Sequence, residues 1–206
     1  MQKMIKKIFD DEASAIKNIP VTDTYEKVVE IVFEQVHIKN GKLITSGMGK
    51  AGQIAHNIAT TFSSTGTPAV FLHPSEAQHG DLGILQGNDI LLAISNSGKT
   101  REIIELIDLK DTLYPSIPVI VITGNVESPL AKKADYFIST GSPQEVCPLG
   151  LTPTTSTTVF TVIGDALVVL MMKRIGFTAD DYSKRHHGGY LGIKSREKSL
   201  KSDKVE

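Results

Sequence analysis

The sequence is poor in several features, and each shortage excludes a class of protein. It contains one cysteine, Cys147, so no disulfide can form within the chain, which is typical of a reducing compartment. Its 22 Lys and Arg against 23 Asp and Glu leave a net charge of -1, whereas a duplex nucleic-acid binder normally has a basic excess. We therefore expect a protein that does not bind nucleic acid.

The sequence also lacks a long uninterrupted apolar run. The most apolar stretch lies between Val159 and Met172 and contains Asp165, and it is shorter than the roughly 20 residues of a membrane span. We expect a core helix here. The N-terminus is charged and amphipathic, without the apolar region of a signal peptide. These features predict a cytoplasmic protein that does not bind membranes.

What the sequence does contain is a regular alternation of two apolar patterns. After two predicted helices in residues 1–40, apolar runs alternate with stretches of helical periodicity. The runs are Leu43–Ile44, Ala69–Leu72, Ile90–Ile94, Val119–Ile122 and Tyr136–Ile138. Because they are apolar at consecutive positions, they are typical of a parallel sheet covered on both faces. The alternation predicts a doubly wound α/β fold.

The length of 206 residues suffices for one domain with a full core. A long helix is predicted from about Thr154 to Ile175, ending at Gly176. We expect N-terminal helices over 1–40, the main domain over 41–192 and a charged, flexible tail over 193–206. The tail prediction depends on five Lys or Arg and three Asp or Glu among its 14 residues.

The segment from Ser95 to Ile103 is the strongest functional signal. Small hydroxyl side chains and Gly98 follow a predicted strand and precede a predicted helix. At such a helix start, free backbone N–H groups and the helix dipole favour an anion. Because ligands of these sheets bind beyond the carboxyl ends of the strands, we expect a phosphorylated small molecule to bind here.

Two further motifs in the first half of the chain also follow predicted strands. Thr45–Gly52 carries glycines that let a ligand approach the backbone closely. It contains Lys50, which we expect to face the same crevice as the Ser95 segment. Its glycine spacing fits neither the dinucleotide fingerprint nor a Walker loop. His73–Gly83 brings two histidines and two carboxylates together, a density suited to acid–base work near neutral pH. It could also hold a metal, although its spacing matches no standard zinc pattern.

The last two motifs lie in the C-terminal third. Glu145 follows the fifth run, and the Ser/Thr series from Thr152 to Thr158 is suited to capping the long helix. We interpret Cys147 as a small packing residue. Further on, His186 and His187 precede two glycines, which indicates a tight or mobile turn.

Strings from all four motifs together resemble the SIS (sugar isomerase) domain family, and within it the D-arabinose-5-phosphate isomerases. The resemblance runs from about Leu43 to Gly192. The supporting strings are TSGMGKAGQIA, STGTPAVFLHPSEAQHGDLG, AISNSG, EVCPLGLTPTTSTT and GDAL followed by GFTADDY. It implies a three-layer αβα sandwich of flavodoxin-like type around a five-stranded parallel sheet, with extra N-terminal helices.

The resemblance also implies a reaction. D-arabinose 5-phosphate and D-ribulose 5-phosphate would interconvert through an enediol(ate), as the first step of 3-deoxy-D-manno-octulosonate (Kdo) biosynthesis for capsule or lipopolysaccharide. Such a step needs a base and an electrophile but no redox cofactor. The positions matching the family's catalytic residues are Lys50, Glu102, Glu145 and His186. Those expected to contact substrate are Ser46, Gly47, Gly66, Thr67, His73, His79, Ser95, Asn96, Ser97 and Thr100.

Some implications concern metal and assembly. His73 matches a position that can hold zinc in some relatives, where zinc is not required for turnover, so we expect no required cofactor. Relatives are tetramers with sites between subunits, so a homotetramer is expected and His186 would serve a neighbour's site. Longer members carry a pair of CBS domains after the SIS domain, and this chain stops before them.

The sequence departs from the family at two places. Lys99 stands where the family has Glu, and His187 stands where it has Pro, which leaves the choice between His186 and His187 to alignment. The residues do not decide whether Glu102 or Glu145 takes the carbon proton. Two alternatives remain open at this stage: isomerisation of a hexulose 6-phosphate or sedoheptulose 7-phosphate, and a non-catalytic sugar-phosphate sensor.

Overall fold

The five apolar runs form one parallel sheet in the computed structural model, which describes residues 1–202. The strands are β1 (Leu43–Gly47), β2 (Ala69–Phe71), β3 (Ile90–Ile94), β4 (Val119–Thr123) and β5 (Tyr136–Ser139). Their order is β2-β1-β3-β4-β5, and every neighbouring pair is parallel. The central strands β1, β3 and β4 are buried at every position, as their consecutive apolar residues require.

Helices cover both faces of the sheet, which confirms the predicted three-layer αβα sandwich. Along β3, Ile90, Leu92 and Ile94 face one core cluster, and Leu91 and Ala93 face the other. The first cluster packs against α2 (Thr24–Phe33), α3 (Gly49–Ser64) and α7 (Thr155–Arg174), with α1 (Gln2–Lys17) lying on α7. The second packs against α4 (Pro74–Ala77), α5 (Arg101–Leu113) and α6 (Pro129–Lys133).

The predicted end of the long helix at Gly176 matches the structure closely, and the starts of α5 and α6 carry recognisable N-cap residues. Thr100 and Ser128 are the N-cap positions of α5 and α6. Gly176 has a φ of +63° after α7, and the Phe177 N–H donates to the Met172 carbonyl 2.9 Å away, which closes the helix end. The stretch from Ser75 to Gly83 contains the end of α4 and most of a 3₁₀ turn, Asp81–Ile84. A π-helical turn, Glu34–Ile38, extends α2.

Within the segment expected to be a flexible tail, residues 193–202 are helical. After α8 (Ala179–Arg185), the chain forms α9 (Gly189–Ser202), which crosses the expected boundary. Leu191, Ser195 and Lys198 share one helix face and line a cavity of about 370 Å³ against the end of α7 and α8. Residues 203–206 lie outside the described residues.

Helix α7 is the core helix predicted from the apolar stretch. It is 20 residues long, and among the described residues it alone has the length and composition to span a membrane. However, Val159, Ile163 and Leu167 are at most 1 % exposed and belong to the first core cluster. Its apolarity is therefore explained by packing against α1, α2 and α3.

Candidate active site

The crevice lies where β1 and β3 send their chains to opposite faces of the sheet. β1 leads into α3 and β3 leads into α5, and the two connections diverge at the carboxyl ends of neighbouring strands. In a doubly wound sheet this switch point is where ligands bind. Lys50 lies in the first turn of α3 and is exposed, and Glu102 lies half-buried in the first turn of α5.

The glycines of the β1 connection serve close packing. A Cβ on Gly47 would lie 2.9 Å from the Ala51 carbonyl, and one on Gly52 would lie 2.5 Å from the Gly47 oxygen. The glycines therefore let the start of α3 press against the end of β1. This packing determines where Lys50 emerges beside the crevice.

The turn after β3 is held by its own hydroxyl groups. The Ser95 Oγ lies 2.7 Å from the Thr100 Oγ1 and accepts a hydrogen bond from the Gly98 N–H at 3.1 Å. Ser95 is 3 % exposed, whereas Asn96 and Ser97 are exposed at the mouth of the turn. Since α5 begins at Arg101, the N–H groups of its first turn have no carbonyl within the helix to bond. The turn therefore has the form of an anion cradle.

Three other predicted contacts have different surroundings. The Ser46 hydroxyl is fully buried and donates to the Leu72 carbonyl at 2.7 Å, so it ties β1 to the end of β2. His73 comes next in the chain, half-buried with its ring edge-on to Phe71. Its buried Nδ1 makes no hydrogen bond to the described residues. His79 is exposed on the segment that follows.

The surroundings of His73 show whether this residue could take part in a zinc site. Within residues 1–202, no group of three or more His, Cys, Asp or Glu side chains is arranged to hold a metal ion. His73 offers a single ring nitrogen there, and a tetrahedral zinc site takes three or four protein ligands. The described residues do not fit a zinc site, and no step below uses one.

Glu145 is fixed at the N-terminus of α7. Its Oε2 accepts hydrogen bonds from the Thr154 N–H at 2.7 Å, the Thr154 hydroxyl at 3.0 Å and the Ser156 N–H at 3.3 Å. Partial burial works against the charge, but the hydrogen bonds from Ser156 and Thr154 outweigh it and lower the pKa of Glu145. The side chain is therefore an ionised, oriented carboxylate at neutral pH.

The structure places three predicted site residues at the opposite edge of the sheet. Gly66 and Thr67 precede β2, so they lie at the amino ends of the strands. Gly66 has a φ of +96°, and a Cβ there would lie 2.9 Å from the Phe177 ring. The buried Thr67 Oγ1 lies 3.1 Å from the His37 Nε2.

His186 is the third of these residues, and it is connected to Gly66 through Tyr182 and Phe177. Its ring stacks on Tyr182 at 3.8 Å between centroids, and Tyr182 contacts Phe177 edge-on. The His186 Nδ1 lies 3.0 Å from the Tyr182 carbonyl, and since a carbonyl only accepts, Nδ1 carries the hydrogen. In the neutral ring, Nε2 is then the free base. His187 is exposed. His186, whose ring is held by Tyr182, is therefore the better-oriented candidate of the two.

Helix α7 separates the two groups. It begins beside Glu145 and ends beside Phe177, and its 20 residues span about 30 Å. We call Gly66, Thr67 and His186 the amino-edge group. We call the residues at the other edge the carboxyl-edge group: Lys50, His73, His79, Ser95–Thr100, Glu102 and Glu145. One chain does not bring the two groups together.

Sequence reasoning missed several contacting residues. His37 faces Thr67, and Glu12 bonds the first residue of α7, Thr155, at 2.9 Å. Nothing in either local pattern sets these two apart from surface residues. Thr154 and Ser156 had a visible signal, because the Ser/Thr series was expected to cap the helix that they begin.

Comparisons with known proteins identify relatives of this chain in sequence and in structure. The SIS domain family model matches residues 38–170. The arabinose 5-phosphate isomerase KdsD of Yersinia pestis is 47% identical over 174 residues, which are 84% of this chain and 51% of that protein. KdsD of Pseudomonas aeruginosa is 45% identical over 172 residues. The chain thus spans about half the length of these curated relatives, as their 51% coverage shows.

Two solved structures match nearly end to end. A proposed phosphosugar isomerase of Bacteroides fragilis, described as involved in capsule formation, is 68% identical with a TM-score of 0.91. The match covers 92% of this chain and 99% of that one. The Escherichia coli CFT073 protein c3406, solved in complex with arabinose 5-phosphate, is 32% identical with a TM-score of 0.83 over 89% of this chain and 96% of that one.

Proposed function

Because this chain belongs to the SIS domain family, we propose that it is an aldose–ketose isomerase that interconverts D-arabinose 5-phosphate and D-ribulose 5-phosphate. The observation that carries the proposal is the carboxyl-edge group, in which an anion cradle, a lysine and one glutamate occur at the switch point between β1 and β3, and a second glutamate, Glu145, follows β5 at the same edge of the sheet. The curated relatives of about half identity have this activity in their name. The product would enter Kdo biosynthesis for capsule or lipopolysaccharide, and the enzyme would act in the cytoplasm.

The cradle orients the sugar phosphate. Backbone N–H groups at the start of α5 and the exposed side chains of Asn96 and Ser97 receive the phosphate, with the helix dipole favouring its charge. Lys99 is exposed beside the same turn and adds a positive charge. His73 and His79 border the crevice from the end of β2 and contact the sugar hydroxyls.

Glu145 is the base that removes the carbon proton. Its Oε2 is occupied by Thr154 and Ser156, which leaves Oε1 to accept the proton from C2 of the aldose and return it to C1. Lys50 stabilises the enediolate oxygen that forms as the proton leaves. Glu102, in the first turn of α5, lies next to the turn that binds the phosphate. It assists proton exchange between the hydroxyl groups of the substrate.

The amino-edge group completes the site from a second copy of the chain. His186 presents a free Nε2 suited to ring opening or to the hydroxyl shuttle. Within one chain, however, it lies a helix length of about 30 Å from Glu145. An exposed apolar stripe on α1, formed by Met4, Ile5 and Phe9, supports burial against another subunit. We propose a homotetramer with sites between subunits.

A coupled assay with purified protein tests the function. Arabinose 5-phosphate, a hexulose 6-phosphate and sedoheptulose 7-phosphate are supplied separately in the presence of a chelator. Turnover of the five-carbon substrate is expected, with a large loss of kcat in Lys50→Ala. Lys39→Ala, which removes a surface lysine paired with Glu34, is the matched control. Turnover no higher than that of Lys50→Ala would refute the proposal, and binding without turnover would identify a sensor.

A further inference from the structure

Helix α1 reaches the first turn of α7 through a single buried hydroxyl. The Thr155 Oγ1–H donates to the Glu12 Oε1 at 2.9 Å, and the Thr155 Oγ1 accepts a hydrogen bond from the Val146 N–H at 3.1 Å. Thr155 is 1 % exposed, so this relay is shielded from water. Val146 immediately follows Glu145, and the relay therefore connects α1 to the loop that carries the proposed base.

The first turn of α7 holds this loop at two neighbouring points. Thr154 and Ser156 bond the Glu145 carboxylate, and Thr155 between them bonds the backbone of the next residue. A change in the orientation of the Thr155 hydroxyl would release Val146 and allow the Glu145 side chain to shift. A base must be held in a near-attack geometry, and a displacement of about 1 Å can cost a hundred-fold in rate.

We propose that Glu12 is a positioning residue that fixes the Glu145 loop through Thr155, so that α1 belongs to the catalytic machinery. The inference deepens the proposed function and rests on it for its kinetic part. No catalytic contact is assigned to Glu12 itself. It orients the Thr155 hydroxyl, which in turn holds Val146.

Two observations indicate that Glu12 is not there for stability. Its Oε2 is buried and has no hydrogen-bond partner among the described residues, which is costly for a carboxylate oxygen. In addition, α1 has no buried residue, and a polar cavity of about 390 Å³ separates it from the loop elsewhere, lined by Ser14, Asn18 and Glu145. The Glu12–Thr155 bond, which we call the tether, thus joins α1 to the first turn of α7 beside this cavity.

The chain contains its own reporter of loop order. Cys147, the sole cysteine, accepts hydrogen bonds from the backbone N–H groups of Thr152 and Leu151. These bonds, with that from Thr152 the strongest influence, lower the pKa of the Cys147 thiol to about 7. If the loop loosens, the bonds weaken and the thiol returns toward the ordinary value of about 8.5. The labelling rate of Cys147 against pH reads this change without any substrate.

The experiment compares four single variants and one double variant of the full chain. Glu12→Ala and Thr155→Val each break the tether, whereas Glu12→Gln keeps an acceptor oxygen for the Thr155 hydroxyl. Asp10→Asn is the matched control, because Asp10 is an exposed carboxylate of the same helix paired with Lys6. Measured are kcat and KM for arabinose 5-phosphate, and the pH midpoint of Cys147 labelling by a disulfide reagent.

Glu12→Ala and Thr155→Val are expected to lower kcat by at least about ten-fold with little change in KM. Both should raise the labelling midpoint, and the variant that combines them should be no worse than either single one. Glu12→Gln and Asp10→Asn should resemble the starting protein. An unchanged kcat and midpoint in Glu12→Ala would overturn the inference, as would an equal effect of Asp10→Asn. If the starting protein lacks turnover, the proposed function fails, and the labelling midpoints still decide whether Glu12 orders the loop.

Discussion

At the scale of single residues, the two glutamates of the crevice have different surroundings. Glu145 is held by three hydrogen bonds at the start of α7, whereas Glu102 projects from the first turn of α5 beside the anion cradle. Both are carboxylates that follow a strand, so their residue type and position in the sequence do not separate their roles. The contacts of Glu145 do separate the two roles, because hydrogen bonds to a charged carboxylate both orient it and lower its pKa.

Thr154→Val tests this account of Glu145 through pH. The variant removes the Thr154 hydroxyl, which favours the ionised carboxylate, so the pKa of Glu145 should rise. Because the base must be ionised, the acidic limb of the kcat/KM profile should move to higher pH. Thr158→Val is the control, since the Thr158 hydroxyl bonds the Thr154 carbonyl and not Glu145. A limb that stays in place in Thr154→Val would contradict the assignment of Glu145 as the base.

At the scale of elements, the turn between β3 and α5 depends on one glycine. Gly98 has a φ of +62°, and a Cβ there would lie 2.0 Å from the Ser128 Oγ. The Ser128 hydroxyl in turn accepts the Ala131 N–H at the start of α6. The cradle is therefore shaped by the neighbouring strand connection as well as by its own residues.

Gly98→Ala should consequently damage both stability and phosphate binding. The left-handed backbone alone costs about 1–2 kcal/mol for alanine, and the overlap with Ser128 adds to it. We expect a lower unfolding midpoint and a KM raised by about ten-fold or more, since the displaced N–H groups carry the charge-assisted hydrogen bonds to phosphate. Gly83→Ala is the control, because a Cβ at Gly83 meets no atom within 4 Å. Equal effects of the two substitutions would contradict this role of the turn.

Elements that local sequence patterns specify were predictable, whereas elements that depend on contacts with other parts of the fold were not. The strands and the starts of α3, α5 and α6 were predictable, because consecutive apolar residues and glycine or hydroxyl turns are local patterns. Helix α9 was missed, because its charged composition resembles that of a solvated tail and its contacts are made with the preceding helix α8. The tether from Glu12 to Thr155 joins residues 143 positions apart, and no local pattern indicates it.

At the scale of the whole molecule, the arrangement of the two groups sets a requirement for assembly. The carboxyl-edge group and the amino-edge group lie at opposite edges of the same sheet, and α7 keeps them about 30 Å apart. If both serve one reaction, each site combines the carboxyl-edge group of one subunit with the amino-edge group of another. Variants at Lys50 and at His186 would then damage different halves of each composite site, so the two variants should complement each other in a mixed assembly.

Co-expression of Lys50→Ala with His186→Ala measures this directly. Each variant alone should be nearly inactive, but random mixing should give about a quarter of the composite sites both native residues. Lys50→Ala mixed with Glu145→Gln is the control, since both defects lie in the carboxyl-edge group and no mixed site is intact. Recovery in the first mixture and none in the second is expected. Absence of recovery in both would indicate that each subunit acts alone, and activity of His186→Ala by itself would show that His186 is not required.

The sequence by itself determined the layered α/β architecture, the family and the position of the turn that we propose as the anion cradle, since these depend on short patterns of burial, backbone conformation and helix capping. The tertiary structure alone decided which candidate residues meet. Strand direction places Gly66 and Thr67 at the edge away from Glu145, and the length of α7 carries His186 to that same edge. The contact of α1 with Thr155 was likewise decided there, because it depends on how distant helices pack and not on the residues beside it in the chain.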